Sequence, residues 1–120
     1  MGMRRLGETL ESLEHVILSR RSEPADRSYT SKLFSGGAPL IGAKVTEEAE
    51  ELARAAAGET GDRVVSEAAD LLYHMLVLLA FRDVPLASVE AELSRRFGMS
   101  GLDEKASRTA AAQNPGGDAT

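Results

Sequence analysis

Two pairs of carboxylates three residues apart stand beside apolar helical stripes: Glu48 and Glu51 within Thr46-Glu47-Glu48-Ala49-Glu50-Glu51, and Glu67 and Asp70 within Glu67-Ala68-Ala69-Asp70. On a helix, residues at that spacing share a face. Taking about 100° per residue, Glu48 falls at the margin of the apolar stripe of Ile41, Val45, Leu52 and Ala56, with Glu51 and Lys44 beside it. Glu50 points nearly the opposite way. Glu67, Asp70 and His74 occupy one narrow stripe, while Leu71, Leu72, Met75, Leu76, Val77, Leu78 and Leu79 spread apolar surface around most of the same helix. If the two helices lie side by side, Glu48, Glu51, Glu67 and Asp70 converge in a partly buried acidic cluster with Glu47 near its rim.

Buried carboxylates crowded together take up protons unless a cation sits among them. A set of oxygen ligands suits Mg²⁺ or Mn²⁺, and Mg²⁺ characteristically shares its shell with water and substrate phosphates. A substrate containing a phosphoanhydride follows. The Glu-Glu-x-Glu-Glu run alone reads more readily as a solvated face. Glu67 and Asp70 shift that balance, because an idle acid inside the most apolar helix of the chain has no cheap explanation. His74 reads as a core or orienting histidine in preference to a metal ligand. Lys44 has two open readings, an ion pair with Glu48 or Glu51 and a contact to a phosphate oxygen. Lys32 by itself reads as a surface residue.

The elements that must position these groups are helical. Leu6, Leu10, Leu13, Ile17 and Leu18 predict an amphipathic first helix. Ser28 to Ser35 predicts a short helix capped by Ser28 and stopped by Gly36-Gly37. Pro39 suits the first turn of the next helix, which runs to Gly58. Thr60 or Asp62 caps a long helix that ends before Pro85, and a last helix runs from Ser88 to Phe97, closed by Gly98. No alternating apolar run suggests a strand. The expected fold is all-α, an antiparallel bundle of four to five helices in a single domain over residues 1–108, with residues 109–120 as a disordered tail.

Length and composition bound the rest. A chain of 120 residues with 42% apolar content fits one small soluble domain, and its nearly all-apolar helix needs cover from a second copy, so a homodimer or higher homo-oligomer is expected. A net charge of −5 without clustered Lys and Arg argues against nucleic-acid binding. The run Leu71 to Phe81, interrupted by His74, is shorter than the roughly 20 residues a membrane span needs. The Glu-rich start resembles no signal peptide. The lack of cysteine excludes disulfides and thiolate chemistry and agrees with a cytoplasmic location.

Taken in order, Ser28-Tyr29-Thr30-Ser31-Lys32-Leu33, then Lys44-x-x-Glu47-Glu48-Ala49-x-Glu51, then Glu67-Ala68-Ala69-Asp70-Leu71-Leu72-Tyr73-His74-x-Leu76-Val77-Leu78-Leu79, the sequence resembles the phosphoribosyl-ATP pyrophosphatases. The likeness covers about residues 6–97. Its third segment is the most specific, since the wider MazG-type all-α pyrophosphohydrolases share the acidic pair. The resemblance implies Mg²⁺-dependent hydrolysis of phosphoribosyl-ATP to phosphoribosyl-AMP and pyrophosphate, the second step of histidine biosynthesis, in a cytoplasmic homodimer with a MazG-like fold. It implies Glu48, Glu51, Glu67 and Asp70 as metal ligands, and Glu47 as an outer acid or the base that positions water. It makes Lys32 and Lys44 phosphate contacts, with Ser28 and Thr30 in the same substrate-binding stretch. Many bacterial members are fused to a cyclohydrolase with metal-binding cysteines; without cysteines, the stand-alone form is expected here.

Three rivals remain at this point. A house-cleaning nucleoside triphosphate pyrophosphohydrolase would use the same acidic site on free or damaged nucleotides. A ferritin-like di-iron site wants Glu-x-x-His on two helices, and neither Glu48 nor Glu67 has a histidine three residues on. A non-catalytic helical dimerisation module would be indifferent to Mg²⁺.

Overall fold

The structure, a computed structural model, describes residues 4–97. The expected Gly98 stop, the end of the expected domain at residues 98–108 and the expected tail at 109–120 lie outside the described residues. Within them the chain forms α1 (Leu6–Ser19), α2 (Tyr29–Gly58), α3 (Gly61–Phe81) and α4 (Leu86–Arg96), and no strand. It divides into two compact units, one ending at Val84 and the other beginning at Pro85.

The first unit is built around α3, which packs mainly on α2 and also on α1. Helix α2 starts as its sequence dictates: Ser28 caps it, and its hydroxyl accepts from the Ser31 amide at 3.0 Å while the Ser31 hydroxyl accepts from the Ser28 amide at 2.9 Å. The expected stop at Gly36-Gly37 appears as a break, with Gly37 at φ 70° and ψ −168° dividing α2 into two limbs. Side chains are disfavoured in that region of backbone space, so glycine is what permits the bend. Pro39 then falls in the first turn of the second limb, where its missing N–H costs no helical bond.

Glu59 and Thr60 connect α2 to α3 so tightly that the two run as antiparallel neighbours. Thr60 supplies the α3 cap, accepting from the Arg63 amide at 3.3 Å, and Asp62 follows in the first turn. Ile17 of α1, Leu33, Ile41 and Ala55 of α2, and Leu76, Val77 and Ala80 of α3 form the core. Ala55, rather than the expected Ala56, completes the buried face of α2; at about 100° per residue it lies nearer Ile41 around the helix than Ala56 does. The linker after α1 is fastened to the end of α3 by Arg21, whose guanidinium donates to the Ala80 carbonyl at 3.1 Å and pairs with Asp83.

Over its full length α3 is long and apolar enough to cross a membrane, which the shorter run Leu71 to Phe81 did not suggest. Glu67 and His74 are nevertheless buried in it, and it lies against two other helices, as a bundle's core helix does. In the second unit α4 begins at Leu86, two residues before the expected Ser88, with Pro85 as its N-cap. Within this helix Arg95 and Arg96 both bind Glu92 and hold its carboxyl down at about 2.

Candidate active site

Two helices supply the acids. The second limb of α2 carries Lys44, Glu47, Glu48 and Glu51, and the first half of α3 carries Arg63, Glu67 and Asp70. Glu48, Glu67 and Asp70 each bring one carboxylate oxygen into a group whose members all lie within 4.8 Å of one another. Their environments are graded: Glu67 is 3% exposed, Glu48 half-buried and Asp70 exposed, so the cluster opens to solvent on the Asp70 side. Asp70 therefore does not share the enclosure of the other two.

Glu51 joins through Glu67. The two carboxyls interact closely enough that this contact pushes Glu67 up to about 7 while holding Glu51 below the usual range. Burial raises Glu48, and the negative charges of Glu51 and Asp70 raise it further. Arg63 offers partial relief, its guanidinium lying 3.4 Å from Glu67 and 3.2 Å from Glu59. One oxygen of Glu48 and one of Glu67 are buried without a donor. A buried carboxylate oxygen in that condition needs a proton or a cation.

The residues present fit a divalent ion. Opposite ligands around Mg²⁺ lie about 4.2 Å apart, given Mg–O distances of about 2.1 Å, and the 4.8 Å limit of the acid group is close to that. The donors are all carboxylate oxygens, as hard cations prefer. Glu48, Glu67 and Asp70 would hold the ion, with Glu51 added once the neighbouring Glu67 has lost its proton.

Around the acids the remaining candidates take distinct places. Lys44 donates to Glu47 at 3.3 Å, and this hydrogen bond raises its pKa. The ion pair thus forms with Glu47 rather than with Glu48 or Glu51. Glu50 faces away and lies 3.9 Å from Arg54. Ser28 is engaged in the cap of α2, and Thr30 is buried with its hydroxyl bonded to that of Tyr73. Lys32 is exposed on the first limb of α2. His74 is buried; its Nδ1–H donates to the Asp70 carbonyl at 2.9 Å, which leaves Nε2 to accept from the Tyr29 hydroxyl at 2.8 Å. Tyr29 and Arg63 escaped the reading of the sequence. The signal for Tyr29 was indirect, since a histidine on a core helix needs hydrogen-bond partners from somewhere.

Residues 10–97 match the family described as phosphoribosyl-ATP pyrophosphohydrolase. The chain is 49% identical over 100 residues to a phosphoribosyl-ATP pyrophosphatase of Pelobacter propionicus, covering 83% of this chain and 93% of that one. It is 52% identical to the protein of the same name from Trichlorobacter lovleyi, covering 82% and 92% of the two chains. A Rhizobium johnstonii relative, again of that name, is 46% identical, with 85% and 95% covered. With its acids on paired helices and a match running through all four helices, the chain belongs to the phosphoribosyl-ATP pyrophosphohydrolase family.

Proposed function

We propose that this chain hydrolyses phosphoribosyl-ATP to phosphoribosyl-AMP and pyrophosphate as a Mg²⁺-dependent enzyme of histidine biosynthesis, working in the cytoplasm as a homodimer or larger homo-oligomer. The observation that carries the reading is the meeting of Glu48, Glu67 and Asp70 from two helices, with buried carboxylate oxygens that lack donors. The shared name of the relatives supplies the substrate.

A bound Mg²⁺ would supply charge neutralisation for the phosphate oxygens and the leaving pyrophosphate. Glu48, Glu51, Glu67 and Asp70 would hold it. Glu67 would give up its proton to take part in that set. Lys44, on the rim beside Glu47, binds a phosphate oxygen. Glu47 orients the attacking water and accepts its proton as one P–O bond forms and the phosphoanhydride P–O bond breaks. Direct attack by water is favoured because no side chain in this set is a nucleophile of the Ser or Cys kind.

Oligomerisation is supported by apolar side chains left bare on the first unit, Leu6 at 64%, Val16 at 46% and Val65 at 69% exposure among them. The deciding experiment measures pyrophosphate release from phosphoribosyl-ATP and from a panel of nucleoside triphosphates, with and without Mg²⁺. Glu48→Ala and Asp70→Ala should each remain folded and lose about a hundredfold or more in turnover. Unchanged turnover in both variants would sink the site assignment, and preference for a nucleoside triphosphate would move the chain to a house-cleaning role.

A further inference from the structure

Tyr29 opens α2 and keeps 49% of its surface exposed. A tyrosine so exposed is ordinarily free to rotate, yet this one is held from two directions. Its hydroxyl donates to Nε2 of His74 at 2.8 Å, and His74 is itself buried and anchored through Nδ1–H to the Asp70 carbonyl. Its ring stacks on that of Tyr73, with centroids 6.2 Å apart and planes 25° from parallel. Tyr73 is fixed in turn by the Thr30 hydroxyl. The result is an aromatic surface with one orientation and half its area bare.

The setting of that surface is also specific. Two hydrogen bonds link the Tyr29 hydroxyl to the backbone of Asp70, one of the clustered acids. Burial raises the hydroxyl pKa, and Lys44, Glu48 and Glu47 are all close enough to act on it electrostatically. The hydroxyl thus stays a neutral donor, already committed to His74, which leaves the ring as the part available to a ligand. A polyphosphate reaching the acids past Lys44 would bring the nucleoside to which it is attached alongside this ring.

We infer that Tyr29 is the platform on which the purine base of the nucleotide stacks, and that His74 is the positioning residue that keeps the platform open. This rests on the proposed nucleotide substrate. Base stacking on an aromatic side chain is sequence-tolerant and can be removed by truncating the ring.

The chain contains no tryptophan, so Tyr29→Trp introduces a single fluorophore at the platform. With Mg²⁺ present, titration with phosphoribosyl-AMP or with ATP should quench its emission saturably, and titration with inorganic pyrophosphate should not. In steady state, Tyr29→Ala should raise KM for phosphoribosyl-ATP by about tenfold, by a larger factor than kcat falls, and Tyr29→Phe, which keeps the ring but loses the bond to His74, should recover only part of that loss. Quenching by pyrophosphate equal to that by the nucleotides, no quenching by either nucleotide, or a Tyr29→Ala defect confined to kcat would each overturn the inference. If wild type proves inactive on phosphoribosyl-ATP, the functional proposal falls, while quenching by ATP without quenching by pyrophosphate still upholds the stacking role.

Discussion

Glu51 and Glu67 face each other across the interface of α2 and α3, and the contact drives their acidities apart, Glu67 up to about 7 and Glu51 below the ordinary carboxylate range. Glu67 holds its proton tightly because it is buried beside a second acid and no full countercharge is supplied. Arg63 reaches Glu67 but is shared with Glu59. The same pair is thus a proton trap without metal and part of a cation site with it.

The consequence for stability has a definite sign. A folded-state pKa raised above the ordinary 4.5 means that the native chain binds the Glu67 proton more tightly than the unfolded chain does. That contribution is complete below 4.5 and is lost as the pH rises through about 7. Glu48 is raised too and acts in the same direction, whereas Glu51, being lowered, costs stability only in more acidic solution. The metal-free protein should therefore melt at a lower temperature at about pH 8 than at about pH 5, and Mg²⁺ should stabilise it more at the higher pH. Thermal melts in chelator and in Mg²⁺ at both pH values check this; an Mg²⁺ shift of equal size at the two would contradict it.

Ser28 offers a separation of roles. Its hydroxyl is engaged at the start of α2, and the reciprocal bond from Ser31 completes a capping box. Ser28→Ala should cost about 1 kcal/mol, seen as a drop of about 4 °C or more in Tm. Family likeness also places Ser28 in the substrate-binding stretch. An unchanged Tm with a raised KM would make the hydroxyl a substrate contact and not a cap.

Much of this was legible in the sequence, for reasons particular residues make clear. Carboxylates at i and i+3 on two successive helices had to share faces, and the apolar surroundings of Glu67 marked the side on which they meet. Gly36-Gly37 and Pro39 announced the break and restart within α2. Other features depended on tertiary placement. Nothing local tells Lys44 to choose Glu47 over Glu48, or shows that Asp70 is exposed while Glu67 is buried. The Tyr29–His74 bond spans 45 positions of chain and exists only because the first limb of α2 folds back along α3. Val65 matched the apolar pattern of α3 and is left bare in the single chain.

Gly37 tests the bend on which that folding back depends. Its φ of 70° with ψ of −168° is a conformation almost restricted to glycine. An added Cβ would lie 3.7 Å from the Phe81 ring, an ordinary contact, so the penalty of Gly37→Ala comes from the backbone rather than from crowding. A loss of about 1–3 kcal/mol is expected in urea unfolding. A loss near zero would mean that α2 straightens without penalty and that the break is not required to seat Tyr29 against His74.

The two lysines implied as phosphate contacts should differ in weight. Lys44 is held by Glu47 at 3.3 Å, with Tyr29 and Glu48 close enough to raise its pKa further, so it stays charged at the rim of the acid cluster. Lys32 is exposed on the first limb of α2, where holding its long side chain against a phosphate would cost rotamer freedom. A charge-assisted hydrogen bond to phosphate is strong enough for Lys44→Ala to raise KM by about tenfold. Lys32→Ala should have a smaller effect, and its residual contribution should shrink with added salt because exposed charges are screened. Steady-state kinetics of both variants at low and high ionic strength decide the order. A larger defect at Lys32 than at Lys44 would place the polyphosphate along the first limb of α2 and away from the Glu47 rim.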